Sequence, residues 1–251
     1  MSNFLNSNDK EITLTWKVSI ILWLHLLIIQ IFIFSAITVY ILEISGWIFN
    51  EFLLINGSTV GVWLSVFITE IGTLIISLVF LRYLLKKRTG IEEITGIKDF
   101  NLKNNLLGLG FVPLLIFTGI FISNLQAFFF DYSTQNFIYD IIFRPKNYWE
   151  LIIWIIIMFT IVGPVEEIVF RGIIQKGFQN KFREIGKPEW HTVFLSSLLF
   201  SIFHLDLLTL IPIFFMGILL GLVYYLTDSS MVCAITHGAY DAVTIILIFF
   251  L

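Results

Sequence analysis

Uninterrupted apolar runs, each about long enough to cross a lipid bilayer, constrain this chain more than any other feature. They run from Trp16 to about Leu42, from about Val60 to Leu85, from about Leu106 to Phe130, and from Tyr148 to about Ile174. Others begin near Trp190, cover about Leu207 to Leu226, and extend from about Met231 to Leu251. A hydrocarbon core about 30 Å thick is spanned by about 20 helical residues. Unpaired backbone N–H and C=O groups are intolerable there, so a spanning chain is either helical or a closed barrel. These runs lack the strict alternation of barrel strands, so they read as helices. Composition agrees: 58% of the residues are hydrophobic, 13% are charged, and the mean hydropathy is +0.93. Such segments are apolar on every face, unlike a water-soluble helix with one buried stripe. The expected fold is an all-α, polytopic transmembrane helix bundle of about seven or eight spans. The short apolar segment Gly46 to Asn56 leaves the count open by one. No repeat or low-complexity linker divides the chain, so residues 1–251 read as a single integral membrane domain.

The net charge of -3 excludes little, whereas the placement of basic residues is informative. Arg82, Lys86, Lys87 and Arg88 close the second span, and Lys176, Lys181, Arg183 and Lys187 follow the fourth. Two crossings separate these clusters, so both lie on one face, which the positive-inside rule makes cytoplasmic, together with the N-terminus. The first apolar stretch is too long for the core of a signal peptide and is read as a span. Nothing points to a nucleic-acid partner. The expected partners are membrane lipid and a peptide or lipidated-protein substrate. The single Cys233 has no second cysteine to pair with in the chain.

Ionisable side chains cost about 2.5–3.5 kcal/mol each at the centre of a span, so their positions carry information. The first three spans hold His25 and Glu70, while the later ones hold Glu166, Glu167, Arg171, His204, Asp206, His237 and Asp241. The functional centre is therefore expected in residues 163–241. Arg171 follows Glu167 by four residues, within reach of an in-helix ion pair. Glu166 lies about 100° further round and needs a partner from another helix. Gly163 and Pro164 loosen the helix just before it. Counted along their helices, Glu166, His204 and His237 fall near one depth. Glu166 and His204 can hold a water between them, since a desolvated carboxylate is a useful base near neutral pH and a histidine can relay the proton. His237 and Asp241, one turn apart, can face the developing oxyanion, Asp241 as a donor only when protonated. Glu166, His204 and His237 would equally suit a divalent metal such as zinc, and the residues leave metal-dependent and metal-free activation open. Blander readings exist for each group. The first motif can be a buried ion pair with a spare carboxylate, the histidines can be packing residues, Asp206 a cap, and Glu70 and His25 isolated polar contacts.

Three motifs in this order resemble the CPBP family of intramembrane endopeptidases, which includes the type II CAAX prenyl endopeptidases and bacteriocin-processing or self-immunity proteins. They are Glu-Glu-x-x-x-Arg (Glu166, Glu167, Arg171), Phe-x-x-x-His (Phe200, His204) and His-x-x-x-Asn/Asp (His237, Asp241). The resemblance implies that Glu166 and His204 activate the attacking water, that His237 and Asp241 form the oxyanion site, and that Glu167 and Arg171 hold the first motif. Asp241 stands where the prenyl-protein branch carries Asn. The expected function is an intramembrane peptidase acting on prenylated or other membrane-associated peptides near their C-termini. Two other classes stay open. Carboxylates and histidines within spans also build proton-coupled transporters, and a non-catalytic immunity or scaffold protein could keep the same fold.

Overall fold

The computed structural model describes residues 14–49, 57–85, 95–98, 101–129 and 144–251. Lys86, Lys87 and Arg88, most of the apolar segment between Gly46 and Asn56, and most of the loop from Asp131 to Lys146 lie outside the described residues.

Every regular element among the described residues is helical. Helix α1 (Trp16–Ile29) is capped by Thr15 and passes through a π-helical stretch (Gln30–Phe34) into α2 (Ser35–Phe49). Helix α3 (Gly57–Leu85) follows, then α4 (Leu102–Gly110) and α5 (Val112–Phe129), which meet at Phe111. A rod then runs unbroken from Tyr148 to Glu184: α6 (Tyr148–Ile157), a π stretch (Met158–Val162), α7 (Gly163–Glu167), a second π stretch (Ile168–Gln175) and α8 (Lys176–Glu184). Helix α9 (Trp190–Phe203), α10 (Leu210–Thr227) and α11 (Ser230–Phe250) complete the chain.

Six of these stretches are long and apolar enough to cross a membrane, so this is an integral, multi-pass protein. The span expected from Trp190 takes another form. With 14 residues, α9 covers about 21 Å, less than the hydrocarbon core. It forms a hairpin with α10 whose tip, residues 204–209, carries Leu205 at φ 55°.

Lipid tails are as apolar as leucine, so the helices gain little from apolar burial alone and associate through close packing and polar ties. Phe117, Phe121, Phe128 and Phe129 accordingly lie exposed on α5. The core forms around the rod, where Val169, Phe170, Ile173 and Ile174 meet Leu22 and Leu26 of α1, Leu81 of α3 and Phe200 of α9. Small residues set the spacing. Gly217 packs on Ser197, and Gly221 on Val193 and Gln175. A methyl group at Gly172 would overlap the carbonyl of Thr95, so the short segment around Thr95 docks directly on the rod. Buried polar ties lock these contacts: Ser19 Oγ donates to Ile173 O at 3.2 Å, Gln175 Nε2 to Gly221 O at 3.0 Å, and Ser230 Oγ to Thr95 O at 2.8 Å.

Candidate active site

Pro164 has no N–H to donate back along the helix, and the π stretch Met158–Val162 ends just before Gly163 and Pro164. Wide turns of this kind recur at functional sites. Gly163 makes the next step possible. A Cβ there would sit 2.8 Å from Gly238 N and 3.1 Å from Ala234 O, and one at Gly238 would sit 2.8 Å from the Cα of Phe159. The rod and α11 therefore cross backbone to backbone, and this brings the two glutamates of α7 against His237. Gly238→Ala is expected to push the helices apart and lower any activity of the cluster roughly 10²-fold, the usual cost of a misplacement of about 1 Å. Comparing turnover with detergent thermal unfolding would check this: a Tm drop with full turnover would contradict it.

Glu167 is fully buried and held from two sides. Its Oε2 lies 3.0 Å from Arg171 Nε, an ion pair without the alignment of a good hydrogen bond, and its Oε1 lies 3.0 Å from His237 Nδ1. Arg171, also fully buried, donates from Nη2 to Gly217 O at 3.4 Å and lies over the ring of Phe200, 4.8 Å from its centroid. Phe200 in turn meets the rings of Phe170, His204 and His237 at 5.0, 4.8 and 6.1 Å. The first motif is thus tied to both histidine-bearing helices through one carboxylate and one aromatic ring.

Glu166, 14% exposed, sits between the two histidines: Oε1 is 3.8 Å from His204 Nε2 and Oε2 is 3.8 Å from His237 Nδ1. His204 is the C-cap of α9, where its Nδ1 lies 2.9 Å from the carbonyl of Phe200. A carbonyl only accepts, so Nδ1 carries hydrogen, and in the neutral ring Nε2 turns a lone pair toward Glu166. Two acceptors 3.8 Å apart call for a shared donor. On the other side, His237 Nε2 is 3.5 Å from Asp241 Oδ2, so both nitrogens of this ring face carboxylates.

The structure brings Glu166, Glu167, Arg171, Phe200, His204, His237 and Asp241 into one cluster. The close contact of His237 with Glu167 has no counterpart in the spacing of the motifs. Glu70, reaching in from α3, interacts electrostatically with Glu166, His237 and Asp241. Its only sequence signal was a carboxylate within a span. His25 contacts its own Ile21 carbonyl at 2.7 Å and stacks obliquely on Phe80. Asp206 accepts from Leu208 N at 2.9 Å and shapes the hairpin tip.

A metal ligand must offer a free imidazole lone pair. Glu167 takes Nδ1 of His237, the nitrogen on the Glu166 side, and leaves only Nε2, which faces Asp241, to offer a lone pair. Among the described residues, no group of three or more His, Cys, Asp or Glu side chains is arranged to hold one.

Residues 148–243 match the family described as type II CAAX prenyl endopeptidase Rce1-like. The match runs from the start of α6 to just past Asp241 and contains every member of the cluster except Glu70. Neither a curated protein nor a solved structure matches the chain. The membrane region that gathers the three motifs, residues 148–243, is thus similar to the Rce1-like family of type II CAAX prenyl endopeptidases, in line with the resemblance carried by the motifs.

Proposed function

We propose that the chain hydrolyses a peptide bond of a membrane-associated substrate with a water activated by Glu166 and His204. The observation that carries this reading is the pair of facing acceptors, Glu166 Oε1 and His204 Nε2, 3.8 Å apart. A water fits there by donating one O–H to each. As its oxygen attacks the substrate carbonyl carbon, one proton passes to the Glu166–His204 pair, and the carbonyl π electrons move to oxygen. When the C–N bond breaks, that proton goes to the leaving nitrogen, giving an amine and a carboxylic acid, which ionises to the carboxylate by losing its own proton to solvent. His237 Nε2 is the oxyanion donor, since its 3.5 Å contact with Asp241 is long enough to be shared. Glu167 and Arg171 position His237 and do not touch substrate. No step needs a metal. The substrate is a peptide with an accessible C-terminus, prenylated or otherwise lipid-anchored. The face bearing Lys181 and Arg183 is cytoplasmic, and so is the N-terminus.

Purified protein in detergent, assayed against prenylated and unprenylated peptides, tests this reading. Cleavage that survives a strong chelator and places one oxygen from labelled water in the new carboxylate is the expected result. Loss of turnover on chelation would instead place a metal in the reaction. If no peptide is cleaved, and reconstituted vesicles move protons in a manner dependent on Glu166, the chain is a transporter.

Asp241 can donate to an oxyanion only when protonated, whereas an amide donates at any pH. Asp241→Asn is therefore expected to keep turnover within a few-fold and to extend it to higher pH. Asp241→Ala is expected to lose about 10²–10³-fold, the usual worth of one oxyanion donor. Equal activity of the two variants across pH would remove Asp241 from the mechanism.

A further inference from the structure

We propose a second, non-catalytic site in the cleft between α1, α8 and α9, which takes one acyl chain of an anionic phospholipid with its phosphate against Lys181 and Lys17. The cleft encloses about 490 Å³, and its walls include Trp16 and Trp23 of α1, Phe178 of α8, and Leu195 and Leu199 of α9. Such a volume lies within the range of about 300–1,000 Å³ typical of ligand sites. Polar ties fix its walls on two sides: Trp23 Nε1 donates to Leu199 O at 3.0 Å, and Asn180 Nδ2 to Leu14 O at 2.9 Å. The groove is therefore built into the fold.

Lys181 is the one charged residue that lines the cleft. A peptide laid in it would leave backbone N–H and C=O groups without partners, whereas a hydrocarbon chain has none to satisfy. The mouth lies where apolar spans give way to polar sequence: Trp16 opens α1, and Asn180 to Glu184 close the rod. That is the level of lipid headgroups, where aromatic residues gather and basic pockets between helices hold anionic lipids. The charges there favour an anion. Arg183 is neutralised by Glu189 through hydrogen bonds of 2.6 and 2.9 Å, and this contact also holds the Glu189 carboxyl below its usual range. Among the described residues near the mouth, this leaves Lys17, Lys181 and one carboxylate, Glu184. Lys17 lies 5.8 Å from the ring centroid of Trp16, and Lys181 pairs with Glu184 at 3.1 Å. Glu184 is 68% exposed, and such a surface pair yields readily to a phosphate. Helix α9 turns Leu195 and Leu199 to the cleft, while Phe200 faces the catalytic cluster, with Phe170 and Ile174 packed in the same core. The two sites thus share a helix and no lining residue.

Purified full-length protein would be titrated with phosphatidylglycerol and phosphatidylcholine of identical chains, with bound lipid counted by native mass spectrometry. Tryptophan quenching by tail-brominated phosphatidylglycerol would report chain insertion. The expected result is about fivefold tighter binding of the anionic lipid, reduced to parity by Lys181→Gln. Quenching should fall in the Trp16→Phe/Trp23→Phe variant, and Leu199→Trp, which fills the cleft, should remove the bound lipid. Equal affinities in the unaltered protein, or quenching unchanged by the double tryptophan variant, would overturn the proposal. Lys181→Gln alters only a part-exposed side chain at the mouth, so its result stands even if Leu199→Trp perturbs folding. Peptide cleavage does not enter any of these readouts, so the outcome is independent of the proposed function.

Discussion

Glu166→Gln is expected to abolish peptide cleavage, a loss of about 10²–10⁴-fold, while membrane insertion and thermal unfolding stay as they are. The amide keeps the size of the side chain and one acceptor oxygen but cannot take a proton from water. Glu166 has no close in-helix ion pair to lose, because Arg171 lies on Glu167 at 3.0 Å. Its two nearest basic groups are imidazoles at 3.8 Å, and neither depends on it for its shortest contact. Removing the charge should therefore leave the helices where they stand. Glu166→Asp tests position rather than charge: drawn back by one methylene, its carboxylate no longer shares a water with His204. Retention of more than a tenth of the turnover by either variant would show that another group is the base.

Arg171→Met is expected to have the largest effect on stability. It leaves Glu167 fully buried with its charge uncompensated on the Oε2 side, at a cost of about 3–5 kcal/mol, while also removing the cation over Phe200 and the bond to Gly217 O. The double variant Glu167→Gln/Arg171→Met should regain much of that loss, since replacing both partners of a buried pair with uncharged groups is often nearly neutral. Glutamine can still accept from His237 Nδ1 through its carbonyl. Thermal unfolding in detergent would measure all three proteins. If the single and double variants melt together, the ion pair has no part in holding this fold.

The helical, membrane-spanning architecture was legible because lipid makes one demand on the whole chain, and every apolar run answers it. The in-helix pair Glu167–Arg171 was legible because a four-residue spacing is a distance. The common depth of Glu166, His204 and His237 also followed from counting residues. What the sequence hid lies between helices. That His237 leans on Glu167 depends on Gly163 and Gly238 meeting backbone to backbone, and a glycine in a span does not say which partner it will meet. The end of α9 at His204 carries no glycine or proline signal. The helix stops where the His204 ring takes the Phe200 carbonyl and Leu205 turns to a positive φ. Glu70 belongs to no motif, and only the packing of α3 against the rod brings it near the other acids.

The shortness of α9 bears on how water would reach the proposed reaction, set among apolar helices. A helix of about 21 Å leaves a gap of about 9 Å against a hydrocarbon core of about 30 Å, and a bilayer relieves such mismatch by thinning locally. His204, 27% exposed, stands at the end of that short helix, beside the partly exposed Glu166 and Asp241. Under the proposed hydrolysis, a dimple in the lipid would lie over Glu166, His204 and Asp241 and give water a path to them through deformed membrane.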